Sequence, residues 1–270
     1  QYNARSLNEH LSSAKWWNFG RKQGGLFLFT PTVTADNSDW YRGTADAMYQ
    51  NIDFLKRRHE PYVIISSGDC VYKLDFNRVL DFHIEKKSDI TVVCKDMMYN
   101  DDVSRFGVVR MDDESRITEF DEKPIEASSN TISTGIYVIR RRQLIELLEA
   151  AAEENRFDFV NDILIRYKNV KKIYGYKINS YWNNIADIDA YFKTNMDLLR
   201  PDVRSYFFRE EPTICSKVDD LPPAKFNPGS DISNSLVSSG CIINGSVEDS
   251  VLFKQVFVGK NTTVKNCVLL

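Results

Sequence analysis

The sequence predicts an α/β domain over most of its length, followed by a short parallel β-helix. Three observations predict it. Short apolar runs alternate with amphipathic segments through the first two hundred residues. Five of the eight prolines fall between Pro201 and Pro228, where the texture changes. Beyond Ile232, small polar residues separate apolar ones at a six-residue step.

The elements follow in order. Thr44 to Arg58 carries Ala45, Met48, Ile52 and Leu55 at three- and four-residue steps, which predicts one helix. Pro61 to Asp69 is an apolar run ending in a turn and predicts a strand buried on both faces. Phe76, Val79, Leu80 and Ile84 predict a helix over 76–87, and Asp89 to Cys94 predicts the next strand. Phe106 to Arg110 and Ile117 to Phe120 flank a polar loop and predict a hairpin. Thr134 to Ile139 is a further strand, and a helix follows over 143–153. The arginines Arg140, Arg141 and Arg142 between them predict a solvated face. This alternation predicts a largely parallel sheet with helices on both sides and ligands at the strands' carboxyl ends.

Residues 201–230 read as a proline-rich linker. In 231–270 the triplets Ser235-Leu236-Val237, Ser250-Val251-Leu252 and Cys267-Val268-Leu269 recur 15 and 17 residues apart. Leu252, Val258, Val264 and Leu270 fall six apart, but the phase breaks between Ile243 and Leu252. A coil this short has barely two turns where about three repeats are normally needed. Further coils are therefore expected, and the chain, which starts at Gln1, reads as a piece of a longer protein.

Composition excludes several classes. Thirty-five Lys and Arg against 38 Asp and Glu give a net charge of -3, without the basic excess of a duplex-binding surface. No apolar run approaches the ~20 residues of a membrane span. The cysteines at 70, 94, 215, 241 and 267 form no C-x-x-C pair and are odd in number, which predicts a reducing, cytoplasmic setting. The scattered His10, His59 and His83 argue against a zinc site.

Three segments carry candidate chemistry. Asp69 follows an apolar strand and Gly68, a natural place for a carboxylate that holds Mg2+ against a phosphate; a plain turn is the alternative. In Trp40 to Ala47, Gly43 and Thr44 precede a helix whose free N–H groups would meet a flat ligand, unless Thr44 simply caps it. In Glu119 to Pro124, Lys123 offers a point charge to a phosphate, or sits in a charged surface loop. No Ser-His-Asp arrangement is present.

The ordered set is Trp-Tyr-Arg-Gly-Thr-Ala-Asp-Ala at 40–47, Ser-Gly-Asp at 67–69 with Tyr-Lys-Leu-Asp-Phe at 72–76, and Phe-Gly-Val at 106–108. Glu-Lys-Pro at 122–124, Ser-Thr-Gly-Ile-Tyr at 133–137 and Tyr181-Trp182 come next. Asn-Met-Asp-Leu-Leu at 195–199, Leu-Pro-Pro-Ala-Lys-Phe at 221–226 and Asn-Ser-Leu-Val-Ser at 234–238 complete it. In this order the chain resembles the sugar-1-phosphate nucleotidylyltransferases, specifically the ADP-glucose pyrophosphorylases (glucose-1-phosphate adenylyltransferases) of bacterial glycogen synthesis. The resemblance implies a nucleotidyltransferase, Rossmann-like α/β domain with a mixed or parallel sheet over 1–200. It also implies the start of a left-handed parallel β-helix over 231–270. The implied reaction joins ATP and glucose 1-phosphate into ADP-glucose and pyrophosphate.

The resemblance also distributes roles. Asp69 and Lys123 take the catalytic ones, with Asp69 on Mg2+. Tyr41, Gly43, Thr44 and Gly68 belong to the nucleotide. Gly107, Glu122, Lys123, Ser133, Tyr137 and Trp182 belong to glucose 1-phosphate. Two departures stand out. The family's glycine-rich triphosphate loop is expected before Gln1. The second metal aspartate is replaced by Asn184 within Trp182 to Asp187, where Asp187 is a distant substitute. Such drift, with Cys70 in place of a histidine, is similar to the regulatory partner subunit that accompanies a catalytic sister subunit in some Gram-positive bacteria. The implied assembly is a homo- or hetero-tetramer that takes phosphorylated effectors, with no nucleic acid and no membrane. A competent glucose-1-phosphate adenylyltransferase, or a related sugar-1-phosphate nucleotidylyltransferase, is the alternative. A hexapeptide acyltransferase would need a histidine in the coils, and none follows Ile232.

Overall fold

The computed structural model describes residues 4–12, 14–19, 24–31, 40–98 and 101–270. The helices are α1 (Ala4–Leu11), α2 (Thr44–Tyr49), α3 (Ile52–Lys56), α4 (Phe76–Glu85), α5 (Arg141–Glu153), α6 (Ile188–Asp197) and α7 (Pro201–Phe208). The first eight strands are β1 (Tyr62–Ser66), β2 (Cys70–Tyr72), β3 (Ile90–Asp96), β4 (Gly107–Met111), β5 (Ile117–Glu122), β6 (Thr131–Arg140), β7 (Ile173–Lys177) and β8 (Trp182–Asn184). The chain divides into two units. A sheet unit holds Phe29–Gly68 and Asp75–Asn179, and a coil unit holds Gln1–Leu28, Asp69–Leu74 and Ser180–Leu270.

In the sheet unit the strand order is β5-β4-β6-β3-β7, with β1 also paired to β6. The expectation of a largely parallel sheet is corrected. Only β3 and β7 pair in parallel; the β1–β6, β3–β6, β4–β5 and β4–β6 pairs are antiparallel. The registers explain this. Strands β1, β3, β4 and β7 share one direction, and the ten-residue β6 runs against them through the middle. Strand β1 is also not buried on both faces: among the described residues it pairs with β6 alone, and Ile64 is 44% exposed.

Helices do cover both faces of this sheet. Leu144, Leu147, Leu148 and Ala151 of α5 pack with Ile90, Val92 and Cys94 of β3 in the main core. On the other face, His83 of α4 meets Thr91 of β3, Nδ1 to Oγ1 at 2.8 Å. The single helix expected over 44–58 is two, because Asn51 turns its side chain back to the Ala47 carbonyl at 2.8 Å. Arg141 is not a solvated charge. Its guanidinium donates to the carbonyls of Glu60 and Leu55, at 2.9 and 3.1 Å.

In the coil unit, β2 and β8 form a two-stranded antiparallel sheet. Residues 201–208, expected as linker, form α7, with Pro201 preset for the first helical turn. The β-helix begins earlier than expected, at β9 (Lys225–Phe226), which pairs with β12 (Ile242–Ile243). The intervening strands are β10 (Asp231–Ser233) and β11 (Leu236–Val237); β13 (Ser246–Glu248), β14 (Val251–Leu252), β15 (Phe257–Val258), β16 (Thr263–Lys265) and β17 (Val268–Leu269) follow. They stack in parallel as three sheets, β10-β13-β16, β11-β14-β17 and β15-β12-β9. The three sequence triplets lie directly over one another, Leu236 on Val251 on Val268.

The break in phase has a structural cause. Residues stacked in register are six apart at one corner of the outer coils (Phe226 to Ile232, Val258 to Val264) but four apart in the middle coil, from Ile243 to Val247. Gly245 makes that clipped corner possible: a Cβ there would lie 2.3 Å from the Thr262 carbonyl oxygen. Ile243, Val247, Leu252 and Val258 fill the interior, whereas Leu270, expected in phase, is exposed. Among the described residues, no helix is long and apolar enough to cross a membrane.

Two outcomes follow from this packing. Gly245→Ala should destabilise the β-helix by roughly 2–4 kcal/mol, read from denaturant unfolding, since backbone cannot yield to the new methyl. His83 is buried, and burial first, then Arg140, pushes its pKa down to about 4. Between that value and the ~6.5 of an unfolded histidine, the unfolded chain binds the extra proton, so stability falls as pH falls through this window. Relative to His83→Asn, the parent protein should lose on the order of 3 kcal/mol across it.

Candidate functional site

Residues of the expected site fall into two clusters, one in each unit. In the sheet unit, β4 and β5 place Gly107 opposite Glu122, and the adjacent pair Val108–Ile132 brings Ser133 of β6 alongside. A Cβ at Gly107 would lie 2.8 Å from the Phe120 ring and 2.9 Å from the Glu122 carboxylate, so glycine leaves that carboxylate its space. Ser133 Oγ donates to Tyr137 Oη at 3.3 Å. Between them, Gly135 takes a φ of +74° and β6 bulges against β3.

The electrostatics of this cluster are strained toward neutrality. Burial raises the Glu122 pKa, Asp158 adds to the rise, and Lys123 opposes it. Burial also raises the Tyr137 phenol, with the Glu122 and Asp158 charges contributing. Tyr137 therefore stays a neutral hydroxyl. Lys123 sits at a φ of +49°, and its Nζ lies 3.8 Å from the Glu122 carboxylate. Half-buried carboxylates and hydroxyls beside one lysine suit a polyhydroxylated anion: acceptors for sugar hydroxyls, a cation for a phosphate.

Asp158 is absent from the sequence-based set. It lies in Phe157 to Asp162, where Asp162 accepts from the backbone N–H groups of Phe157 and Asp158 at 3.0 and 2.9 Å. Two aspartates four apart, the first between two phenylalanines, were the available signal.

The start of α2 does not offer the free N–H groups expected of it. The Phe157 carbonyl accepts from Ala45 N at 2.9 Å and Asp46 N at 3.3 Å. Gly43 is needed for that approach, since a Cβ would lie 2.3 Å from the same carbonyl oxygen. Thr44 does not cap the helix either; its hydroxyl accepts from Phe159 N at 3.0 Å. Tyr41 Oη accepts from Asn51 at 3.0 Å. These residues build the wall that carries Asp158. Gly68, by contrast, has open space where a Cβ would stand.

The second cluster belongs to the coil unit. Strand pairing sets Cys70 opposite Asn184, and the Asp69 carbonyl accepts from Ile185 N at 2.8 Å. The two side chains that the sequence pairs do meet: Asn184 Nδ2 donates to the Asp69 carboxylate at 3.1 Å. The amide oxygen of Asn184 is already taken, accepting from Ala186 N at 3.0 Å. Burial and the Asp69 charge push the Cys70 thiol up to about 12. The Asp187 carboxylate caps α6, accepting from Ala190 N at 2.7 Å. Trp182 is 6% exposed and stands opposite Tyr72 in the β2–β8 pair.

This donor set fits Mg2+ poorly. One carboxylate is present, an N–H faces it, and the neighbouring amide oxygen is engaged. Among the described residues, no three His, Cys, Asp or Glu side chains converge on a point that would hold a metal ion.

Comparisons with known proteins agree with this architecture. Residues 1–200 match the nucleotidyl transferase family, and residues 222–270 match the GlmU-like C-terminal hexapeptide family. The chain is 36% identical over 267 residues to the glucose-1-phosphate adenylyltransferase of Clostridium novyi, covering 98% of this chain and 70% of that one. The chain belongs to the glucose-1-phosphate adenylyltransferase family. The Pseudothermotoga lettingae member is 37% identical over 267 residues, covering 98% of this chain and 63% of its own length. The Clostridium perfringens member is 36% identical over 274 residues, with coverage of 100% and 69%. The chain thus spans about two thirds of the length of the curated relatives it matches. The hexapeptide match makes the stacked parallel strands the start of a left-handed β-helix.

The Asp69 charge on Cys70 is directly testable. Asp69→Asn should bring the thiol pKa down, so alkylation of Cys70 at mildly alkaline pH should accelerate about tenfold, for one unit of pKa. Peptide mass spectrometry would separate Cys70 from the exposed Cys215.

Proposed function

We propose that this chain is a subunit of an ADP-glucose pyrophosphorylase that keeps the family's sugar-phosphate cluster but is impaired in metal-dependent catalysis, and so acts as a regulatory partner. The observation that carries the reading is the Asn184 amide donating to Asp69 at 3.1 Å, where the family's pattern calls for a second carboxylate. In the family's reaction a phosphate oxygen of glucose 1-phosphate bonds to the α-phosphorus of ATP as the bond to pyrophosphate breaks. Positioning and charge neutralisation do most of this work. Gly107, Glu122, Ser133 and Tyr137 would orient the sugar, and Lys123 would hold its phosphate. Asp69 alone would face the divalent cation.

The reading extends to partners. A catalytic sister subunit in a tetramer, phosphorylated effectors and a cytoplasmic location fit a β-helix with stackable edges and five free cysteines. A subunit that turns over by itself, on Asp69 alone, is the competing outcome.

Pyrophosphate release from ATP and glucose 1-phosphate with Mg2+ separates the two. The full-length chain alone should be nearly inactive and should alter the rate of the catalytic subunit when mixed with it. Asn184→Asp should raise its own turnover by roughly tenfold or more, the order expected for restoring an electrostatic group at the reacting phosphates. Robust turnover of the unaltered chain would overturn the regulatory reading.

A further inference from the structure

Lys73 is 5% exposed, yet no carboxylate lies within ion-pair distance of it among the described residues. Its ammonium instead donates to two main-chain carbonyls, that of Tyr206 in the last turn of α7 and, at 2.7 Å, that of Glu210 two residues beyond it. The Tyr206 ring lies beneath it, 4.7 Å from Nζ to the centroid, and the Tyr206 hydroxyl donates back to the Lys73 carbonyl. The last carbonyls of a helix lack partners within it and carry its negative end. Helix α7 has no basic residue in its own last turn. The missing cation comes from Lys73, more than 130 residues earlier in sequence.

Strand β2 explains why such an anchor is needed. It has three residues and, among the described residues, a single strand partner, β8. A ladder that short is marginal without further support. Asp69 directly precedes this strand and Lys73 directly follows it. We infer that Lys73 is a positioning residue for the Asp69–Asn184 pair: by capping α7 it fixes β2 along its length and so holds the Asp69 carboxylate against the Asn184 amide. The inference rests on reading that pair as the working end of the site.

Cys70, which sits between Asp69 and the rest of β2 and faces Asn184, is a local reporter. Lys73→Met keeps the aliphatic stem and removes both N–H donors. Iodoacetamide labelling well below the melting temperature, followed by peptide mass spectrometry, should show Cys70 reacting at least about fivefold faster than in the parent, with the buried Cys241 unchanged, as expected of a local opening. Lys73→Gln, which retains a shorter donor, should fall between the two and serves if the Met variant does not fold. A lower melting temperature with Cys70 labelling within about twofold of the parent would make Lys73 a stability residue only and overturn the proposal. The measurement needs no turnover. A chain that proves catalytically competent alone would refute the regulatory reading and leave this result standing.

Discussion

The sheet unit depends on one strand that runs the wrong way. Strand β6 lies antiparallel to β1, β3 and β4, and it can serve all three because Gly135 breaks its regular course. Gly135 holds a φ of +74°, and its Cα faces Ser67 so closely that a Cβ would lie 3.0 Å from the serine Cβ. No residue with a side chain meets both demands at low cost. Its carbonyl also accepts from Ser67 N at 2.9 Å, which fixes the turn that ends β1.

The functional consequence is local. Four residues of regular strand span about 13 Å, too far for two side chains to meet easily. The bulge draws Ser133 and Tyr137 together until their hydroxyls bond. Glu122 approaches the same place because Gly107 opposite it has no side chain. Two glycines thus shape one cluster, one by its dihedral angle and one by the room it leaves. Asp158 joins from a loop whose own backbone is tied down by Asp162 and Thr44.

The coil unit is governed by a different exchange. A carboxylate beside another carboxylate needs a cation to hold the two together; a carboxylate beside an amide does not. Asn184 satisfies Asp69 with a hydrogen bond that closes the site on itself. The two clusters are therefore held by different means, backbone geometry in the sheet unit and a side-chain hydrogen bond in the coil unit.

Much of this was legible in the sequence because it depends on pattern. Helix and strand periods located most elements of the sheet unit, the triplets 15 and 17 residues apart stacked as their spacing implied, and the motif order named the family. The pairing of Asp69 with position 184 was also legible, since both belong to recognisable motifs. What the tertiary structure alone decided is where backbone groups go. A strand's direction is not written in its period, so β6 made a sheet that looked parallel largely antiparallel. The N–H groups at the start of α2 looked free until the Phe157 carbonyl, over a hundred residues away, took them. Lys73 stands in the sequence only as one letter of a motif; the folded chain buries it against carbonyls of Tyr206 and Glu210. Sequence periodicity reports which side chains avoid water; only the folded chain shows which distant polar groups satisfy one another.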